Sequence, residues 1–163
     1  MVQDGATGFL PKIEVILGGL VVDSKCPVGD LLHEAGHLAI LPAHIRAQAT
    51  GDLAGIAAPL LLAVKSSVDP DSAAARAAIN CGDSEATAWA WAAGKHLGIP
   101  GHAIIESSAY DGDGATVRAM LAAGLYPGIH GLAAAGFCVT KPGDLELHTG
   151  LPAYPRLAHW LQP

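Results

Sequence analysis

The stretch Leu31-Leu32-His33-Glu34-Ala35-Gly36-His37-Leu38-Ala39-Ile40-Leu41 constrains this chain most. Leu31, Leu32, Ala35, Leu38, Ala39, Ile40 and Leu41 cover a helix almost completely. A helix apolar on every side is a buried one. Asp30 is the expected N-cap after Pro27-Val28-Gly29. Pro42 predicts the stop, because the residue before a proline avoids the helical region. The same segment carries His33, Glu34 and His37, and polar groups inside a core are costly unless partnered.

Their spacing suggests the partner. Residues four apart share a helix face, about 5–6 Å apart at Cβ. His33 and His37 can therefore both reach one metal ion at about 2.0–2.1 Å from each ring nitrogen. Glu34, one step round, lies beside that ion and can take the proton of a water on it. His-Glu-x-x-His is thus a candidate zinc site with Glu34 as candidate general base. The competing reading is two core histidines satisfied by carbonyls and a glutamate in an ion pair.

A catalytic zinc site has three protein ligands and an open fourth position. The second informative stretch, Gly82 to Gly98, predicts a helix capped by Asp83 or Ser84 and stopped at Gly98. Glu85 shares a face with Ala88, Trp89 and Ala92, so it is expected to point inward as the third ligand. Asp83, at the helix mouth, is the alternative. His44 follows a helix stop and is read as a surface or outer histidine, with ligation left open. His96, at a helix C-terminus, is read as structural. Tyr110 is expected in a surface turn, the other possibility being a phenol that polarises a carbonyl.

Composition excludes several classes. Hydrophobic residues make up 51% of the chain, yet no apolar run is long enough to span a membrane. The longest, Leu53 to Val64, is interrupted by Gly55 and Pro59. Met1 to Gly5 lacks the basic start of a signal peptide, so a soluble, cytoplasmic protein is expected. A net charge of −6 without a basic cluster argues against nucleic acid and anionic membrane as partners. Cys26, Cys81 and Cys138 form no C-x-x-C pair and read as free thiols, Cys26 lying close in sequence to the histidine helix.

Elsewhere, Ile13–Leu17 and Leu20–Asp23 flank Gly18-Gly19 and predict a β-hairpin. Leu53–Val64 reads as a short buried helix or a cover over a cleft, and Asp71–Ile79 as a helix. His102–Glu106 is a strand or a helix start. Tyr110–Gly114 is a turn whose D-x-D-G resembles the opening of a calcium loop without its remaining ligands; capping the helix Ala115–Ala123 is its expected role. Ile129–Ala135 predicts a short helix and Phe137–Leu147 an extended segment. Pro155 is expected to start a last helix, Arg156–Leu161, with Leu157 and Trp160 docked on the body.

His33-Glu34-Ala35-Gly36-His37 is similar to the zincin metallopeptidases, and its wording resembles the peptidase domain of FtsH-type AAA proteases. It also looks like stand-alone bacterial proteins that share Gly-Asp-Leu-Leu-His-Glu-Ala-Gly-His and a later Ala-Trp-x-Trp/Tyr-Ala-Ala helix. The likeness covers residues 30–41 well and 83–97 loosely. In the FtsH-type domain the third ligand is an aspartate, which keeps Asp83 in play. The interval between the helices is shorter here, and nothing in the chain reads as an ATPase module or a membrane anchor. By analogy with such sites, a hairpin beside the motif helix could hold an extended peptide along its edge.

The expectation is one α+β domain over residues 1–163, mostly helical and zincin-like, with a small N-terminal hairpin. Its expected activity is that of a Zn2+-dependent hydrolase, most simply a peptidase on a peptide or protein substrate. His33, His37 and Glu85 would bind the metal and Glu34 would serve as general base. The alternative is a regulatory or structural protein that binds the metal and hydrolyses nothing. The oligomeric state is left open.

Overall fold

In the computed structural model, residues 1–8, 10–51, 53 and 81–163 are described, with backbone alone at 144–146. The described elements are β1 (Ile13–Ile16), β2 (Gly19–Val22), α1 (Val28–Ile40), α2 (Ala43–Arg46) and α3 (Asp83–His96). They continue with α4 (Gly101–Ile104), a 3-10 turn at Tyr110–Gly112, α5 (Gly114–Ala122), α6 (Gly128–Ala134) and α7 (Asp144–Thr149). The architecture is mixed, helices plus a two-stranded antiparallel sheet near the N-terminus. The segment expected over Leu53–Val64, apart from Leu53, and the helix expected over Asp71–Ile79 lie outside the described residues.

The hairpin forms, one residue earlier than its glycines suggested. Ile16 pairs with Gly19, so the turn is Leu17-Gly18, with φ of 48° and 74°. Positive φ at both central positions matches the strand twist. Leu17 tolerates it because Leu17 N–H donates to Thr50 Oγ1 at 3.1 Å and Gly18 N–H to the Ala49 carbonyl at 2.9 Å. The outer edge of β2 does not lie open for a peptide. Val2 bridges Val22 in parallel, and Gln3 N–H donates to the Val22 carbonyl at 2.9 Å.

Helix α1 starts at Val28 with Pro27 as N-cap, three residues before the expected cap. Asp30 therefore sits in the first turn, not at the cap. The stop is where Pro42 put it, with Leu41 extended at ψ 138°. Residues Ala86 to Gly94 of α3 are buried without interruption, and Ala86, Ala88, Ala90, Ala92 and Ala93 leave room for neighbours on every side. Helix α1 crosses it at backbone contact. A Cβ on Gly36 would stand 2.6 Å from the Ala86 carbonyl oxygen, so only glycine permits this crossing. Helix α3 ends as predicted, with Gly98 at φ 72° donating to Lys95 and Ile99 donating to Gly94.

Around this crossing, Ile40, Leu41, Leu121, Ile129, Leu132 and Phe137 are fully buried in one apolar cluster. The C-terminal segment departs from expectation. Residues 155–161 form no helix, because their backbone groups serve tertiary partners: Ala158 N–H donates to the Phe137 carbonyl, and the Trp160 carbonyl accepts from Trp89 Nε1 at 3.0 Å. Trp160 and Leu157 still dock on the body, and His96 packs against the Trp160 ring. The stretch expected to be extended through Leu147 turns into α7 from Asp144. Asp113 is the N-cap residue of α5 but makes no side-chain cap hydrogen bond. Among the described residues, no helix is long and apolar enough to cross a membrane.

Candidate metal centre

The α1–α3 crossing places three side chains at one point. The Nε2 atoms of His33 and His37 stand 3.1 Å apart, their rings nearly perpendicular at 88°. Asp83 Oδ1 lies 3.0 Å from His37 Nε2 and 3.8 Å from His33 Nε2. Tetrahedral zinc with bonds of about 2.0–2.1 Å spaces its ligands about 3.3–3.4 Å apart, so these separations straddle what one ion requires. Two imidazoles and a carboxylate are a donor set for zinc, although other divalent ions accept it too. The His37 side chain is 6% exposed, His33 26% and Asp83 78%, so the group is rooted in the core and opens at Asp83.

Glu85, the expected third ligand, is elsewhere. Its carboxylate accepts from Gly82 N–H at 3.2 Å and from Ser84 Oγ at 3.0 Å, closing the first turn of α3. A Cβ on Gly131 of α6 would meet Glu85 Oε1. At about 100° per residue, Glu85 lies about 200° round from Asp83, on the face turned to α6. Burial of that face was read correctly; its neighbour is α6, not α1. Asp83 takes the position beside the histidines.

Glu34 is 5% exposed on α1. His44 is exposed on α2 and stands outside the group, as does Cys26, whose thiol donates to the Pro27 carbonyl at 3.5 Å. Burial holds the His33 imidazole below its ordinary pKa, while the Asp83 and Asp30 carboxylates pull it back up. A neutral ring is the form that binds a metal.

Two residues join the site that spacing alone did not select. Thr87, 2% exposed, lies one turn after Asp83 on the same face of α3. Its hydroxyl is 3.5 Å from His33 Nδ1 and 2.8 Å from the Tyr110 hydroxyl. The i, i+4 relation to Asp83 was the available signal for Thr87. Tyr110 sits in the expected turn, but its phenol reaches back to α3. Burial raises that phenol's pKa, partly offset by the Thr87 hydrogen bond. A cavity of about 500 Å³ adjoins the group, lined by His33, Asp83, Thr87 and Tyr110 together with Asp30 and Glu106. Burial and the nearby Glu106 carboxylate raise the Asp30 pKa.

Compared with protein-family models, curated proteins and solved structures, the chain gives no match.

Proposed function

We propose that this chain is a metal-dependent hydrolase, with zinc as the metal and a peptide as the substrate. The observation that carries the reading is the convergence of His33 Nε2, His37 Nε2 and Asp83 Oδ1 within 4.8 Å of one another. His33 and His37 would hold the ion from α1 and Asp83 from α3. When bound, zinc supplies a Lewis acid that polarises a carbonyl and makes water more acidic. The remaining work falls to the chain. Glu34, beside His33 in sequence, takes the proton of the attacking water and returns it to the leaving nitrogen. Burial keeps His33 neutral and available as a donor. The cavity receives the substrate beside His33 and Asp83. Among the described residues, Asp30, Asp83 and Glu106 line it and no lysine or arginine does, so neutral and basic peptides suit it better than acidic ones.

The test is zinc content by elemental mass spectrometry, on wild type, Asp83→Ala, Glu85→Ala and Glu34→Gln. About one zinc per chain is expected in wild type, Glu85→Ala and Glu34→Gln, with loss in Asp83→Ala. In a peptide screen, Glu34→Gln should lose activity by about 10²–10⁴-fold while its zinc stays. No zinc in wild type, even after zinc is offered and excess removed, would sink the metal reading. Zinc without hydrolysis of any peptide would sink the peptidase reading and leave a metal-binding protein.

A further inference from the structure

We propose that this chain has a second ligand site, separate from the metal centre, that takes a small organic anion bearing a flat ring. The site is a cavity of about 630 Å³ formed by α3, the end of α5 and the segments around Lys141 and Tyr154. Ligand pockets of this size pair an apolar lining with a few polar groups that orient the ligand.

The floor is apolar and built into the core. Trp91, Leu121 and Tyr154 line the cavity and are 6%, 1% and 8% exposed. The Tyr154 hydroxyl donates to the Ala88 carbonyl at 2.9 Å, so its polar end is taken up inside the protein and the ring is left for the cavity. Two backbone bonds hold the wall beside it. Val139 N–H donates to the Pro152 carbonyl and Tyr154 N–H to the Val139 carbonyl, both at 2.9 Å. The chain thus enters the Lys141 segment from a position fixed against Tyr154.

The charge of this cavity runs against that of the chain. Acidic residues outnumber lysine and arginine by 15 to 9, for a net charge of −6. Among the described residues, the charged groups lining this cavity are Lys95 and Lys141, with no carboxylate. The cavity beside His33 has the reverse lining, with Asp30, Asp83 and Glu106. Lys95 follows Trp91 by one turn of α3, on the same face. Its Nζ lies 5.8 Å from the centre of the Trp91 ring, within reach of a cation–π contact. Among the described residues, neither ammonium has an ion-pair or hydrogen-bond partner. Each carries three donors. Two such cations over an aromatic floor complement an anion with a ring. Lysine acts as a compact point charge toward carboxylate and phosphate alike, so the charged group is one of these two.

The probe is 2-naphthoate, titrated calorimetrically into the full chain at pH 7 and followed by amide NMR shifts. The phosphate arm is 2-naphthyl phosphate, and 2-naphthol supplies the ring without charge. Shifts are expected to cluster at Leu121–Gly124 and Thr140–Lys141. Lys95→Gln and Lys141→Gln should each weaken 2-naphthoate by roughly 2–5-fold, the worth of an exposed ion pair, and less so at high salt. Lys25→Gln removes the same charge outside the cavity and should change nothing. Zinc-loaded and zinc-free protein should bind the probe alike. Tighter binding of either anion supports the site and names its charged group. Absence of binding by both anions overturns the proposal. Equal binding of 2-naphthol, an equal loss in Lys25→Gln, or binding that requires zinc overturns it as well.

Discussion

Asp83 Oδ1 lies 3.0 Å from His37 Nε2, across a helix crossing held at backbone contact by Gly36 and Ala86. The carboxylate belongs to α3 and the imidazole to α1, so the group exists only when the two helices touch. The distance between these atoms is set by the smallest side chains of the crossing.

Gly36 is the position at which the crossing can be tested. Gly36→Ala would improve helix propensity by up to about 1 kcal/mol. Its Cβ would press on the Ala86 carbonyl, which is backbone and cannot rotate away. Overpacking of this kind costs about 1–3 kcal/mol, so net destabilisation is expected. Urea denaturation of the metal-free protein should show it, and zinc affinity should fall in the same variant as Asp83 is pushed from the histidines. A more stable Gly36→Ala would contradict the close crossing.

Glu85 has a structural job that separates it from Asp83. Glu85→Gln weakens the charge-assisted bond to Gly82 N–H at the start of α3. A loss of about 1 kcal/mol in thermal stability is expected, with zinc content unchanged. The opposite pattern, lost zinc with stability kept, would return Glu85 to the ligand set.

Acid should weaken the metal-free fold through His33. Burial lowers its folded pKa below the ordinary 6.5, so below that pH the unfolded chain binds the proton more readily. Stability contributed by neutral His33 is full above about 6.5 and declines as pH falls toward the folded pKa. Melting temperatures of metal-free wild type at pH 7.5 and 5.5 should differ more than those of His33→Gln. Equal differences would remove His33 as the cause.

Thiol chemistry should distinguish the cysteines. Burial pushes the Cys81 and Cys138 thiols up to about 11, and both are under 5% exposed. Cys26 is partly exposed and less strongly shifted. Iodoacetamide at pH 8, followed by peptide mass mapping, should modify Cys26 alone in the native protein and all three after denaturation. Native labelling of Cys81 would place it at the surface.

The sequence was most informative where chemistry and local geometry coincide. The helix carrying His33 and His37, its end at Pro42, the second helix with its Gly98 stop and the N-terminal hairpin all depend on neighbours in the chain. Local signals were less complete at the ends of elements. Asp30 looks like a cap because its residue type favours one, but Pro27 already starts the helix. Arg156–Leu161 looks helical behind Pro155, yet its backbone is bonded to Phe137 and Trp89.

Sequence by itself determined that two histidines lie four residues apart on a buried helix, with two acids near the mouth of a second helix. Tertiary structure decided which acid meets them. Helix α3 is buried on all sides from Ala86 to Gly94, so its apolar pattern marks no single face as the one toward α1. The choice came from the Gly36–Ala86 contact, which turns the Asp83–Thr87 stripe to the histidines and leaves Glu85 against α6. The same contact makes Thr87 a neighbour of His33, and the fold of the Tyr110 turn brings the phenol to it. Those relationships join residues far apart in the chain, where spacing carries no information about distance.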